Sequence, residues 1–140
     1  MYMLDTNIII FCMRHPETDC ARRVASHLGE DVCISVVTYG ELEFGIRNSR
    51  KPAQNREAVN RILAGIPVMD LDMKAGAHFG AILAELKQDH KFDLYRDRDK
   101  MIAAHARSRG YVLVTDNIKD FSDIRGLQME NWREKGDSRE

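Results

Sequence analysis

The fold follows first from one stretch of the sequence, Tyr2-Met3-Leu4-Asp5-Thr6-Asn7-Ile8-Ile9-Ile10. Its first three residues are mainly apolar and predict a short buried strand that stops at Asp5. Asp, Thr and Asn are residues that begin helices, and the apolar run behind them predicts a helix. The stretch therefore predicts a strand-to-helix turn with a carboxylate at the carboxyl end of the strand.

The same order of elements returns later in the chain. Residues 111–115 predict a dense apolar strand, and the polar turn Thr115-Asp116-Asn117 follows it. Further strands are predicted at residues 32–34, 67–71 and 127–132, with helices between them. Strands that alternate with helices imply an α/β fold with a mostly parallel central sheet flanked by helices on both faces. Ligand sites in such sheets lie beyond the carboxyl ends of the strands.

Two other acidic side chains are predicted near helix starts. The sequence Thr38-Tyr39-Gly40-Glu41 matches a capping box, which predicts that Glu41 lies at the start of a helix. The charged segment 90–98 lacks periodicity and predicts a loop that delivers Asp99 to a helix beginning near Met101. In the helix predicted over residues 73–87, Gly76 and Gly80 lie one turn apart, which indicates close packing against another helix.

Composition limits the class of protein. The 140 residues suit one domain, and 21 Lys and Arg against 22 Asp and Glu exclude a polycationic nucleic-acid binder. Cys12, Cys20 and Cys33 show no paired spacing, which favours a reducing, cytoplasmic setting. No signal peptide or membrane segment is predicted. We expect the domain to span residues 1–132 and the polar segment 133–140 to be frayed.

Four acidic side chains occupy similar places in the predicted elements: Asp5, Glu41, Asp99 and Asp116. If they converge, their mutual repulsion calls for a hard divalent cation, Mg²⁺ or Mn²⁺, which prefers oxygen ligands. Such a cation suits phosphodiester hydrolysis by activated water. Basic residues near Asp99 could position a phosphate backbone, namely Arg96, Arg98, Lys100, Arg107 and Arg109.

Each of these residues also has a purely structural interpretation. Asp5 and Asp116 fit helix N-caps, Glu41 fits the capping box, and Asp99 fits the positive end of a helix dipole. The basic residues fit a solvated face. His105 is expected to be a core histidine rather than a catalytic base. The remaining histidines and the cysteines lack the spacing of zinc ligands.

Taken in order, four segments resemble the PIN-domain family and, within it, the VapC toxins. They are Met3-Leu4-Asp5-Thr6-Asn7, Gly40-Glu41-Leu42-Glu43-Phe44-Gly45, Asp99-Lys100-Met101-Ile102-Ala103-Ala104-His105-Ala106 and Leu113-Val114-Thr115-Asp116-Asn117. The closing residues 126–132 also resemble the end of those chains. The ordered set is more specific than any single motif.

The resemblance implies a Rossmann-like PIN fold and an Mg²⁺- or Mn²⁺-dependent endoribonuclease. It also implies a homodimer and a VapB-type antitoxin that blocks the site. Asp5 and Asp99 would be the main metal ligands, and Glu41 would bind or orient the metal water. The fourth position falls on Asn117 or its neighbour Asp116. Thr6 would orient Asp5 or a metal water through its hydroxyl.

The charged segment 92–98 departs from the family pattern, which is Gly-rich before Asp99. Asp97 could therefore compete with Asp99 as a ligand or as the helix cap, and substrate selection could differ. Two other functions stay open at this point. One is a non-catalytic RNA- or protein-binding module, and the other is a receiver-like phosphoryl-transfer domain. The latter is disfavoured because Thr115-Asp116-Asn117 replaces the lysine expected at a late strand end.

Overall fold

The computed structural model describes residues 1–91 and 97–133. Within them, five strands form one parallel sheet in the spatial order β3-β2-β1-β4-β5. The strands are β1 (Tyr2–Leu4), β2 (Val32–Ser35), β3 (Val68–Met69), β4 (Val112–Val114) and β5 (Met129–Glu130). The helices are α1 (Thr6–Arg14), α2 (Asp19–Ser26), α3 (Val36–Arg47), α4 (Pro52–Leu63), α5 (Met73–Gln88), α6 (Asp97–Arg109) and α7 (Ile118–Phe121). The predicted α/β class is confirmed.

Helices cover both faces of the sheet. Side chains alternate along a strand, so Met3 packs in one core and its neighbour Leu4 in the other. The core around Leu4 is built with residues of α1, α2, α3 and α4, whereas the core around Met3 is built with residues of α5, α6 and α7. This three-layer arrangement explains why the strands are apolar on both sides.

The order in which strands are added to the sheet reverses at the central strand, β1. After β1 the chain adds β2 and β3 on one side, and then adds β4 and β5 on the other. The backbone N–H of Asp5 donates to the Val114 carbonyl at 2.9 Å, so the ends of β1 and β4 lie together. Open parallel sheets form a ligand crevice at such a switch point. The fold therefore places the turns after β1 and β4 at one edge.

Helix α3 begins before the predicted capping box, and that prediction is wrong. Ser35 is the N-cap, and its hydroxyl accepts the Val37 N–H at 3.1 Å. Thr38 is already buried inside the first turn, and Glu41 lies in the second. Strand β2 runs directly into α3, so the last strand residue supplies the cap. The Glu41 carboxylate therefore does not cap the helix.

Helix α6 also begins earlier than predicted. It starts at Asp97 rather than near Met101, and Asp99 lies in its first turn as expected. Two acids in the first turn favour the earlier start because they stabilise the positive end of the helix dipole. The rest of the charged segment, residues 92–96, lies outside the described residues.

The glycines of α5 do not mediate helix packing, contrary to the prediction. Gly76 and Gly80 are exposed, and a Cβ at either position would meet nothing within 4 Å. Helix α5 nevertheless packs on α6, with Ile82 and Leu86 buried in the shared core. The helix and its packing against another helix agree with the prediction. The contact is made by the apolar side chains Ile82 and Leu86 and not by the glycines.

The C-terminal part of the domain adds β5 to the edge of the sheet. Only Met129–Glu130 of the predicted 127–132 strand pair with β4, and Trp132 is buried in the core around Leu4. Residues 134–140 of the predicted tail lie outside the described residues. Among the helices described, none is long and apolar enough to cross a membrane.

Candidate active site

Asp5 is held at the switch point by both neighbouring turns. Its side chain is 4% exposed. One carboxylate oxygen accepts the Thr6 N–H at 2.8 Å, and the other accepts the Thr115 hydroxyl at 2.8 Å. The Thr115 hydroxyl oxygen in turn accepts the Asn117 N–H at 3.0 Å. Asp5 is thus the N-cap of α1, as one interpretation predicted, and is also fixed to the turn after β4.

Two further carboxylates act on Asp5. Burial raises the pKa of Asp5 from its ordinary value of 3.8 to about 6, against the opposing effect of the hydrogen bonds from Thr115 and Thr6. The negative charges of Asp99 and Glu41 contribute to this raised pKa in the same direction as burial, with smaller effects. The electrostatics therefore link three of the four acids that the sequence singled out, namely Asp5 after β1, Glu41 in α3 and Asp99 in α6.

Glu41 is connected to Asp5 through Thr6. The Thr6 hydroxyl donates to Glu41 Oε1 at 2.5 Å, and Thr38 Oγ1 lies 3.1 Å from the same hydroxyl. Because a hydroxyl has one proton, Thr6 donates to the carboxylate and can accept from Thr38. The other Glu41 oxygen, Oε2, lies 3.1 Å from Nε of Arg98. Thr6 thus holds Asp5 through its backbone and Glu41 through its hydroxyl.

Asp97 and Asp99 occupy different surroundings in the first turn of α6. The Asp97 carboxylate lies 3.8 Å from Nζ of Lys100, which is buried. Asp99 is the one whose charge acts on Asp5. A cleft of about 250 Å³ lies beside it and is lined by Asp99, Lys100 and Lys119, among others. The effect on the pKa of Asp5 therefore favours Asp99 over Asp97 as the acid that joins Asp5 and Glu41.

Asp116 and Asn117 also differ in their partners. Asp116 Oδ2 accepts from the Arg133 guanidinium at 2.7 Å, and both side chains are largely buried. The guanidinium carbon of Arg133 lies 3.8 Å from the centroid of the Phe11 ring. Asn117, in contrast, is tied to Asp5 through the Thr115 hydroxyl. The Asn117 contact is made by its backbone N–H, so the choice between Asp116 and Asn117 for the fourth position stays a prediction.

The predicted basic rim is only partly found at the site. Arg98 reaches Glu41, and Lys100 lies in the Asp99 cleft, but Arg96 is outside the described residues. Arg107 and Arg109 lie at the far end of α6, about 12 Å or more along its axis from Asp99. Arg107 bonds His78 and the Arg125 carbonyl, and Arg109 lies 3.6 Å from Asp72. These last two arginines do not belong to the rim.

His105 is a core residue, in line with the sequence-based expectation. It is fully buried, and its Nδ1 lies 2.8 Å from the Ser35 hydroxyl. Burial lowers the pKa of His105, and the positive charge of Arg109 also lowers it, which favours the neutral imidazole. A residue enclosed in this way cannot reach a substrate in this conformation.

The carboxylates are not arranged in advance as a coordination shell. Within residues 1–91 and 97–133, no three His, Cys, Asp or Glu side chains form a ready cation-binding group. The oxygens of Asp5 and Glu41 are instead engaged by Thr6, Thr115 and Arg98. From the sequence, Thr115 was predicted only as part of the polar turn 115–117, and Arg98 only as one of the basic residues near Asp99. Their direct contacts to the acids join distant segments, and no local pattern signals them.

Two clefts flank α1 next to the carboxylates. One, of about 280 Å³, contains Glu41 and Gly45, and the other, of about 220 Å³, contains Asn7, His15 and Asp116. Arg14 lines both of them. A larger cavity of about 340 Å³ between α1, α2 and α4 is mostly apolar, with Arg61 at its lining, and contains none of the acids. The two clefts beside α1, rather than this apolar cavity, are lined by the acids Glu41 and Asp116.

Comparison with known proteins gives a consistent family. A model described as PIN domain matches residues 2–127. The tRNA(fMet)-specific endonuclease VapC of Shigella flexneri is 39% identical over 132 residues, which cover 94% of this chain and 97% of that protein. Ribonuclease VapC2 of Haemophilus influenzae is 37% identical over 131 residues, with the same coverage.

A solved structure agrees with these relatives. The crystal structure of DNA-bound VapBC from Salmonella typhimurium contains a chain that is 36% identical, with a TM-score of 0.87. The alignment covers 94% of this chain and 98% of that one. A family model over most of the chain, near full-length relatives and a shared fold all point the same way. The chain belongs to the PIN-domain family, in its VapC group.

Proposed function

We propose that this chain is a metal-dependent endoribonuclease and the toxin of a toxin–antitoxin pair. The observation that carries the proposal is that Asp5 and Glu41 are both bound to Thr6, with the charges of Glu41 and Asp99 acting on Asp5. Relatives of nearly the same length are named as ribonucleases, which supports the reaction class. A receiver-like domain is not carried further, because the family is a different one.

The acids suit a hard divalent cation. Three carboxylates supply the oxygen ligands that Mg²⁺ and Mn²⁺ prefer, and a cation would offset the burial and the repulsion that together raise the pKa of Asp5. We propose that Asp5 and Asp99 hold the cation and that Glu41 assists. When bound, the cation lowers the pKa of a coordinated water and neutralises charge on the phosphate.

The neighbouring side chains position these acids. Thr115 and the Thr6 N–H fix the two oxygens of Asp5, and the Thr6 hydroxyl fixes Glu41. The backbone N–H of Asn117 in turn donates to the Thr115 hydroxyl oxygen. Contacts that restrain these side chains matter because small misplacements of catalytic groups cost large factors in rate.

Removal of divalent metal is expected to stop RNA cleavage. Purified protein is incubated with total cellular RNA in Mg²⁺ or Mn²⁺, with and without EDTA, and the fragments are separated on a gel. We expect discrete fragments that vanish in EDTA and return when the metal is restored in excess. RNA binding without cleavage under all of these conditions would instead support the non-catalytic module.

The substrate is proposed to be a structured RNA. Relatives from Shigella flexneri and Salmonella typhimurium are named as tRNA(fMet)-specific, so initiator tRNA is the first RNA to test. Proteins read sequence in RNA mainly at loops and single strands. The two clefts beside α1 would accept such a strand on either side of the carboxylates.

Arg14 is expected to hold the RNA backbone between the two clefts. It is exposed and forms no ion pair with the residues that the structure describes. Arg14→Glu should weaken RNA binding by about tenfold and should lower the slope of log affinity against log salt by about one or more. Fluorescence anisotropy in EDTA measures both without cleavage.

The matched control for Arg14 is Arg50→Glu, which makes the same charge change at an exposed position that lines neither cleft. We expect Arg50→Glu to change RNA affinity by no more than about twofold at physiological salt. Equal losses in the two variants would mean that net charge, and not the clefts, determines RNA binding.

The partners are also proposed. Structural relatives are VapBC complexes, which supports a VapB-type antitoxin for this chain. A homodimer and a cytoplasmic location are proposed as well. The three cysteines, Cys12, Cys20 and Cys33, are all buried, and their odd number without paired spacing suits a reducing compartment.

A further inference from the structure

We propose that Arg98 is an internal counter-cation of the active site, which competes with the divalent cation for the Glu41 carboxylate and is displaced from it when that cation binds. The inference rests on the proposed metal-dependent function and adds a regulatory step to the same site. The observation behind it is the ion pair between Arg98 Nε and Glu41 Oε2, 3.1 Å apart.

The two partners differ in how firmly they are held. The Glu41 side chain is 21% exposed, and its other oxygen is fixed by the Thr6 hydroxyl. The Arg98 side chain is 71% exposed. An exposed arginine loses side-chain entropy when it stays in one ion pair, and such pairs contribute little. The carboxylate is therefore a fixed half of the pair, and the guanidinium is the exchangeable half.

Helix stability does not explain a cation at this position. Arg98 lies in the first turn of α6, where the helix dipole disfavours positive charge. Its neighbours Asp97 and Asp99 suit that position, whereas Arg98 does not. The negative charge of Glu41, close to Asp5 and Asp99, offsets the unfavourable placement. Arg98 therefore lies at a helix start that disfavours positive charge, and its guanidinium pairs with a carboxylate proposed to assist the metal.

Displacement has a consequence for substrate binding. A guanidinium that leaves Glu41 stays attached beside Asp99, with donors suited to a phosphate group. Metal binding would then both complete the carboxylate site and free a cation for the RNA backbone. Arg98 would act as a positioning residue that couples the two events.

The test measures metal binding without RNA. Mn²⁺ is titrated into the wild-type protein, Arg98→Ala and Arg47→Ala by isothermal calorimetry at low ionic strength. Arg47 is the matched control, since it is similarly exposed and pairs with Glu43 on the same helix at 2.6 Å. Its substitution removes the same charge and leaves Glu41 untouched.

We expect Arg98→Ala to bind Mn²⁺ about fivefold more tightly than the wild type, which corresponds to about 1 kcal/mol. Arg47→Ala should differ from the wild type by less than about twofold. The difference at Arg98 should shrink at high salt because exposed charges are screened. Arg98→Lys should fall between the wild type and Arg98→Ala, since it keeps the charge and loses the Nε contact.

A spectroscopic measurement follows the arginine directly. The Nε–H resonance of Arg98, assigned by its loss in Arg98→Lys, should shift on addition of Mg²⁺. An unshifted resonance at saturating Mg²⁺ would overturn the proposal.

The calorimetric outcomes separate this proposal from the function on which it rests. Equal Mn²⁺ affinities of the wild type and Arg98→Ala would overturn the counter-cation role and leave the metal site standing. A tighter site in both Arg98→Ala and Arg47→Ala, by the same factor, would reduce the effect to net charge and also overturn it. Absence of saturable Mn²⁺ binding in every variant would overturn the metal site and this proposal together.

Discussion

Asp5→Asn is expected to lower kcat/KM for RNA cleavage by on the order of 10³-fold or more. The reason is that Asp5 is the most buried of the converging acids and the proposed main ligand of the cation. Asparagine keeps the shape of the side chain and removes the charge. Cleavage of a fluorogenic RNA in Mg²⁺ or Mn²⁺ provides the measurement.

The fold of this variant should survive. The remaining amide oxygen can still accept the Thr6 N–H, and the amide nitrogen can donate to the Thr115 hydroxyl oxygen. The substitution also avoids burying a charged group, so we expect little change in the free energy of unfolding.

Asp19→Asn serves as the control, because Asp19 is an exposed acid of α2 that pairs with Arg22. It should cleave RNA within about twofold of the wild type. Cleavage by a well-folded Asp5→Asn protein within about tenfold of the wild type would contradict the proposed metal site.

Trp132→Ala is expected to lower the free energy of unfolding by about 3–5 kcal/mol. Trp132 is 2% exposed, although it lies at the end of the domain. Its ring packs edge-on against Tyr2 and stacks on His27, with the Arg23 guanidinium 4.4 Å from the ring centroid. The indole N–H donates to Glu130 at 2.9 Å. Truncation would leave a large cavity beside the first strand.

Denaturant unfolding followed by circular dichroism measures this effect, since Trp132 is the only tryptophan in the sequence and fluorescence would lose its probe. Trp132→Phe keeps an aromatic ring and loses the indole hydrogen bond, so it should cost clearly less than Trp132→Ala. A loss below about 1 kcal/mol for Trp132→Ala would show that the final residues are not part of the cooperative core.

Local sequence patterns predicted the elements better than their boundaries. The strand ending at Leu4 and the helix behind Asp5 follow from apolar residues and capping residues that are adjacent in the chain. The start of α3 was misplaced because Ser35 ends a strand and caps a helix at once, and the capping-box pattern at 38–41 competed with it. Two overlapping local signals can be separated only when the strand pairing is known.

The prediction that the glycines of α5 mediate helix packing was wrong for a different reason. Gly76 and Gly80 have the spacing of a close helix contact, but spacing does not tell which stripe of a helix meets its neighbour. Burial of Ile82 and Leu86 decides the orientation of α5 against α6. The hydrophobic effect acts on apolar area and so outweighs the small-residue stripe.

The sequence by itself determined the α/β class and identified Asp5, Glu41, Asp99 and Asp116 as candidate site residues, because periodicity and residue type at element ends are local properties. Only the tertiary structure decided which groups hold those acids. Thr115 on Asp5, Arg98 on Glu41 and Arg133 on Asp116 join segments far apart in the chain. Such pairs arise when the strand order brings the turns after β1 and β4 and the helices α3 and α6 to one edge, and no local pattern encodes that meeting.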